Sequence, residues 1–183
     1  MQGSLFKRLN CGCLAFGPGW QKVDLDRWIQ TWRKCVSDFS FLLILAGTRS
    51  AEVSGISAAG STPESRRYTA VADAELLLNG PSNSTQWPLP PLPAGVSPAL
   101  ISYVASSLIK VKPLVISTGL DQRPPFPHLL IDPSGSGPSA CLSTGKAMNM
   151  KRVNHLWQRG FSLGLELNKP LLIAECVPGG TTT

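Results

Sequence analysis

Two glycines and three threonines follow an apolar stretch at the end of this 183-residue chain, and their chemistry suits an anion. In Gly179-Gly180-Thr181-Thr182-Thr183 the glycines let backbone N–H groups approach a phosphate with no Cβ in the way. The threonine hydroxyls add donors, and one is placed to cap a following helix whose positive end would face the same anion. Just before this loop stands Glu175, at the carboxyl end of the apolar stretch, where a carboxylate can serve as a base or stabilise a cation. Cys176 adjoins it, but no base is spaced to activate the thiol, so a nucleophilic role is not expected. Locally the ending also reads as an ordinary tight turn with a polar tail. A core strand that stops at a helix cap would be left one face short of cover, so the expectation is a chain truncated inside a phosphate-binding loop.

Other candidate groups are weaker. Gly55-Ile56-Ser57-Ala58-Ala59-Gly60 has the glycine spacing of a P-loop, but Ser61-Thr62 follow where a lysine and then a serine or threonine are required. A nucleotide triphosphatase is therefore disfavoured, and the stretch is either a plain strand-to-helix turn or a loop offering backbone donors. Arg66 and Arg67 read as a solvated face before a phosphate clamp. His128 and His155 are isolated from any nucleophile or metal-ligand set, and both read as structural or surface residues. Cysteines 11, 13, 35, 141 and 176 are dispersed, and Cys11-Gly12-Cys13 lacks the gap of a zinc knuckle, so neither disulfides nor structural zinc is expected.

The elements that must position these groups alternate. Asp24 caps an amphipathic helix to about Cys35, with Leu25, Trp28, Ile29 and Trp32 on one face. Residues 39–46 (FSFLLILA) form a continuous apolar run, the pattern of a central strand buried on both faces. Thr62-Pro63-Glu64 supplies an N-cap, an N1 proline and a first-turn acid for a helix to about Ala72, and 75–78 reads as the next strand. The proline-rich stretch 82–95 is a rigid connector. Ser97-Pro98 again starts a helix, with the apolar stripe Leu100, Ile101, Val104, Leu108, Ile109, which hands over to a strand at 113–117. A second loop spans 119–137. Asn149 caps a helix to about Asn168 whose buried side carries Val153, Leu156, Trp157, Phe161 and Leu165, and the last strand is 170–174. This alternation predicts a three-layer αβα fold with a mostly parallel sheet, its ligands beyond the carboxyl ends of the strands.

Composition narrows the class. Apolar residues make up 43% and charged residues 15%, which are globular values. The net charge of +6 permits an anionic ligand, but the basic residues are scattered without an aromatic-interleaved stripe, so nucleic acid is not an expected partner. No apolar run reaches the ~20 residues of a bilayer span. The start is interrupted by Cys11, Gly12, Gly17, Pro18 and Gly19 before a signal core forms, and the chain reads as cytoplasmic without a membrane partner.

Several segments taken together resemble the nicotinate-nucleotide–dimethylbenzimidazole phosphoribosyltransferases, in particular their cyanobacterial and archaeal branch. They are Gly55 to Gly60 with Thr62-Pro63-Glu64 and Arg66-Arg67-Tyr68-Thr69, then Pro90-Pro91-Leu92-Pro93-Ala94-Gly95-Val96-Ser97-Pro98, then Cys141-Leu142-Ser143-Thr144-Gly145-Lys146-Ala147-Met148, then Glu175 to Thr183. The likeness covers 39–183, taken as a partial α/β domain after a divergent segment 1–38. It implies transfer of the phosphoribosyl group of nicotinate mononucleotide to a benzimidazole-type base, giving the lower ligand of cobalamin with no metal or organic cofactor. It implies that Gly179, Gly180, Thr181, Thr182 and Thr183 hold the nucleotide's phosphate, that Glu175 is the carboxylate before that loop, and that Gly95, Val96 and Ser97 line the base site. The family's principal catalytic glutamate belongs to a later half, so the chain is expected to be an inactive fragment of a protein that forms a homodimer at full length. Two further readings stand beside it: a non-catalytic nucleotide-phosphate-binding module, and another α/β enzyme acting on a phosphorylated metabolite.

Overall fold

The computed structural model describes residues 6–8, 14–16, 22–35, 38–81, 86–87, 97–133 and 135–180. The chain divides into two compact units, Met1–Asp38 and Phe39–Thr183. In the first, β1 (Phe6–Arg8) pairs antiparallel with β2 (Leu14–Phe16), with Lys7 opposite Ala15, and α1 spans Lys22–Cys35. The helix begins before Asp24, so that residue lies inside it and is not its cap. The short β1–β2 ladder has no sequence signal: each strand is three residues long and neither alternates over enough length to read.

The second unit is built on a four-stranded, all-parallel sheet in the order β5-β4-β3-β6. Its strands are β3 (Ser40–Ala46), β4 (Leu114–Thr118), β5 (Leu129–Leu130) and β6 (Leu171–Cys176). Between β3 and β4 lie α2 (Pro63–Arg66), α3 (Thr69–Asn79) and α4 (Pro98–Ile109), and α5 (Met150–Glu166) precedes β6. Strand β3 is central and apolar on both faces, as its sequence predicts, and Leu45 is 0% exposed. Phe41, Leu43 and Leu45 meet Ala70, Ala74 and Leu77 of α3, which is the core. The chain leaves β3 for β4 on one side and later crosses back to β6 on the other. Right-handed crossovers then place α3 and α5 on opposite faces, which makes the fold a three-layer α/β sandwich.

Three expectations about where elements begin and end in this unit need correction. Residues 75–78 are not a strand, because they complete α3. This helix is buried almost all round, from Thr69 through Leu77, so its apolar positions show no 3.6-residue period and its Glu-Leu-Leu-Leu end mimics a strand. The helix expected over 63–72 is two pieces. Thr62 and Ser65 close a reciprocal capping box on α2, and the chain turns at Arg67-Tyr68 before α3 begins. The loop expected over 119–137 contains the two-residue strand β5.

Helix α5 starts where expected, with Asn149 Oδ1 accepting from Arg152 N at 2.8 Å, but its apolar side is not buried. Trp157 is 77% and Phe161 65% exposed, and Val153 and Leu165 are exposed as well. The same holds for the α4 stripe, where Ile101, Val104 and Leu108 face outward. Amphipathic period tells which side of a helix is apolar; it does not tell whether the covering partner lies within the same stretch of chain. What ties α5 to the sheet is polar. Arg152 makes a two-pronged contact with Asp132, Nη2 to Oδ2 at 2.7 Å and Nε to Oδ1 at 3.0 Å, while His155 Nε2–H donates to Ile131 O at 2.9 Å. His128 Nδ1 likewise meets Phe126 O at 2.8 Å, so both histidines serve the backbone. Among the described residues no helix is long and apolar enough to cross a membrane.

Candidate functional site

Strand order locates the site. The strand order turns back at β3, with β4 and β5 on one side and β6 on the other, and such a switch point is the usual ligand position in open parallel sheets. A cavity of about 550 Å³ lies there, beside the α3-facing side of β3 and at the carboxyl end of β6. Five pieces of chain wall it: Phe41 and Leu43 of β3, the loop Ile56 to Ala59, one side of α3 (Thr69, Asp73, Leu77), the start of α4 (Ser97 to Ala99) and Ala174 to Gly179. The α3 residues recur every fourth position and so share one helix face.

The loop is held by Thr69 and by Arg66, which the sequence reads as part of a solvated face and which is instead half-buried against the backbone. Arg66 donates from Nε to Gly60 O at 2.8 Å and from Nη1 to Ala51 O at 2.9 Å. Thr69 Oγ1 donates to Ala59 O at 2.6 Å. Gly60 has φ +150°, and a Cβ there would come within 2.6 Å of Ser65 Oγ, so the capping serine and this glycine require each other. Arg66 is thus a loop clamp, and Arg67 pairs with Glu52 at 3.0 Å, which in turn meets Arg49 at 2.5 Å. The start of the glycine-threonine loop is pinned too. Thr48 Oγ1 donates to Pro178 O at 3.1 Å, Gly180 N donates to Val177 O at 2.7 Å, and Gly179, at φ +74°, packs where a Cβ would lie 2.8 Å from Ala51 N. Backbone fills that space, so alanine at 179 must displace either the loop or the turn at Arg49–Glu52.

Inside the cavity the polar centre is Asp73. Ser97, whose Oγ also accepts the Ala99 N–H as the cap of α4, donates to Asp73 Oδ1 at 2.6 Å. Cys176 Sγ–H donates to Asp73 Oδ2 at 3.3 Å. Burial pushes the Cys176 thiol well above its ordinary value, and the neighbouring Asp73 carboxylate pushes it further, so the group stays protonated and is a donor, not a nucleophile. Cys141 behaves oppositely: its sulfur lies 3.1 Å from Ser143 Oγ, and that hydrogen bond lowers the thiol's pKa. Iodoacetamide at neutral pH is accordingly expected to label Cys141 well before Cys176, as read by peptide mass spectrometry; comparable rates would mean that the Asp73 side of the cavity is open to solvent.

The residues singled out in the sequence are distributed as follows. Glu175, Gly179 and Ser97 line the one cavity, although Ser97 and Glu175 are far apart in the chain. Glu175 sits at its rim opposite Ile44 in the sheet register. Ala174 and Cys176 pack on the α3 side, so strand alternation assigns Glu175 to the other face. Gly180 follows Gly179 in the pinned turn. Thr181, Thr182, Thr183, Gly95 and Val96 lie outside the described residues. Sequence reasoning missed Asp73, because the supposed gap between a helix ending at Ala72 and a strand starting at Glu75 swallowed it. The available signal was the spacing Thr69-Asp73-Leu77, which reads as a face once α3 is taken as continuous.

No family model matches the chain. It is similar to proteins named UPF0284 from cyanobacteria: 60% identical over 181 residues to one from Prochlorococcus marinus strain MIT 9313, 53% over 175 to one from Parasynechococcus marenigrum strain WH8102, and 41% over 161 to one from Microcystis aeruginosa strain NIES-843. The first match takes in 99% of this chain, so the likeness extends into the segment 1–38. These matches cover 86–99% of this chain and 44–45% of the relatives, so the chain is similar over most of its length to UPF0284 proteins and spans a little under half of theirs.

Proposed function

We propose that this chain carries part of a phosphoribosyltransferase that moves the phosphoribosyl group of nicotinate mononucleotide onto a benzimidazole-type base, the step that gives cobalamin its lower ligand. The observation that carries this reading is the single cavity shared by Glu175 and Gly179 at the end of β6 and Ser97 at the cap of α4. Those are the groups that the resemblance assigns to the carboxylate, the phosphate loop and the base site. Charge supports the same division. Among the described residues the lining brings in the Asp73 carboxylate but no lysine or arginine, which suits an uncharged ring within the cavity, and the resemblance gives the nucleotide's phosphate to the loop that starts at Gly179.

The chemistry asks for an anchored phosphate, a tolerated positive charge on the ribose and an acceptor for one proton. A ring nitrogen of the base bonds to C1′ as the bond from C1′ to the nicotinate nitrogen breaks. Nicotinate leaves with that electron pair, and the base loses its N–H proton to a carboxylate. Glu175, at the carboxyl end of β6, is the carboxylate that the resemblance gives to this site, and the remainder of the longer protein supplies the rest of it. The test is a chimera of this chain with the part of the Prochlorococcus marinus MIT 9313 relative that it does not span. Base-dependent release of nicotinate from nicotinate mononucleotide is expected, with Glu175→Gln lowering kcat by about a hundredfold. Tight binding of nicotinate mononucleotide with no release on any benzimidazole would favour a non-catalytic binding module.

A further inference from the structure

The Asp73 carboxylate, in the cavity wall, is fixed from two other elements, by Ser97 at the cap of α4 and by Cys176 at the end of β6. A carboxylate accepts about four hydrogen bonds, and among the described residues these two donors leave acceptor capacity toward the cavity. The donors also set its orientation, since Ser97 is 6% exposed and is itself held by the start of α4. The Cys176 thiol remains protonated, so the sulfur never becomes a rival anion. Around Asp73 the walls are small and apolar: Ala58 and Ala59 from the loop, Ala74 and Leu77 from α3, Pro98 and Ala99 from α4. Such walls admit a flat ring, and although the hydroxyl residues Ser57, Thr69 and Ser102 also line the cavity, the Asp73 carboxylate, held by two donors, is the stronger acceptor and decides how the ring lies.

We propose that Asp73 accepts a hydrogen bond from the ring N–H of a flat heteroaromatic base and so selects N–H-bearing bases over N-substituted ones. This rests on the transferase reading for what the base is. Asp73 acts on binding by holding that N–H, and the proton released as the base attacks passes from there to the group that finally takes it, which lies outside the chain in that reading. A charge-assisted hydrogen bond in an apolar surround is worth about a tenfold or larger preference.

The test measures binding of benzimidazole and 1-methylbenzimidazole to the 183-residue chain by titration calorimetry, in wild type, Asp73→Ala and Cys176→Ala. The wild type should bind benzimidazole at least about tenfold more tightly than the methylated compound. That gap should close in Asp73→Ala, with cooperative thermal unfolding confirming that the variant is folded. Cys176→Ala, which removes one of the two donors fixing the carboxylate, should narrow the gap several-fold and stands in should Asp73→Ala not fold. Equal binding of the two compounds by the wild type, no binding of either, or a preference that survives Asp73→Ala would each overturn the proposal. Selective binding by the chain with no nicotinate release by the chimera keeps Asp73's role and sinks the transferase. Nicotinate release with the two bases discriminated equally by wild type and Asp73→Ala does the reverse.

Discussion

Replacing Asp132 by alanine is expected to destabilise the α/β unit by about 3 kcal/mol and to release α5 before the rest of the sheet unfolds. The Asp132 side chain is 1% exposed and that of Arg152 15%, so neither charge is well served by water when the other is removed. Thr118 Oγ1 and the Gly119 N–H also donate to this carboxylate. Four donors from two stretches of chain therefore lose one acceptor at once, and leaving buried donors unpaired is what makes the truncation costly. Gly119, at φ +56°, is part of the same fit, since a Cβ there would run into the Arg152 guanidinium and lie 2.9 Å from Gly137 O. Hydrogen exchange should show the local character of the effect. Amides of α5 should speed up markedly in Asp132→Ala, while those of α3, packed in the core, should change little.

Acid should act on the same pair. Burial would raise the Asp132 carboxyl, but the Arg152 hydrogen bond, then Thr118, outweigh it and hold the group below its ordinary value. The unfolded chain thus binds a proton more readily than the folded one. The contribution is complete above the unfolded value near pH 4 and disappears as pH falls through the lower folded value. Glu52, held low by Arg49 and Arg67 against its own burial, loses stability in the same window. The stability difference between wild type and Asp132→Asn isolates Asp132: it should be flat above about pH 5 and shrink below about pH 4. A difference that stays constant down to pH 2 would show that the ion pair does not carry the stability.

The second large effect concerns the bare side of α5. Trp157→Glu with Phe161→Lys is expected to leave stability of the 183-residue chain within about 0.5 kcal/mol, because nothing described packs on those rings, and to suppress self-association strongly in sedimentation. In the chimera the same double change should cost several kcal/mol, on the order of 3 or more, as the relatives' additional polypeptide is expected to bury the rings. Exposed tryptophan and phenylalanine in the chimera, shown by an unchanged melting temperature in the double variant, would mean that this face meets a separate partner or solvent.

Much of the architecture is legible in the sequence, because the determining physics is local. The uninterrupted apolar run of β3 specifies a strand buried on both faces, and Thr62, Ser97 and Asn149 each cap the helix that follows, since a cap needs only an oxygen within three residues of an orphan N–H. Alternation of strand and helix then fixed a parallel α/β sheet. What the chain could not show from its order was set by contacts between distant stretches. Whether 69–79 is one helix depends on β3 and α4 burying it from several sides, and burial erases the very periodicity from which a helix is read.

The site divides the same way. The glycines and threonines after β6 and the carboxylate of Glu175 announce themselves by type and spacing, and Ser97 by its cap motif. Asp73 does not, since an aspartate in a helix gains meaning from what faces it, and its partners Ser97 and Cys176 are 24 and 103 positions away. Strand order, which sequence does not print, set β6 beside β3 and opened the crevice where they meet. Residue type thus determined which groups can bind or react; long-range packing alone decided which of them share a cavity, because hydrogen bonds and burial join atoms by distance in space, with no regard for distance along the chain.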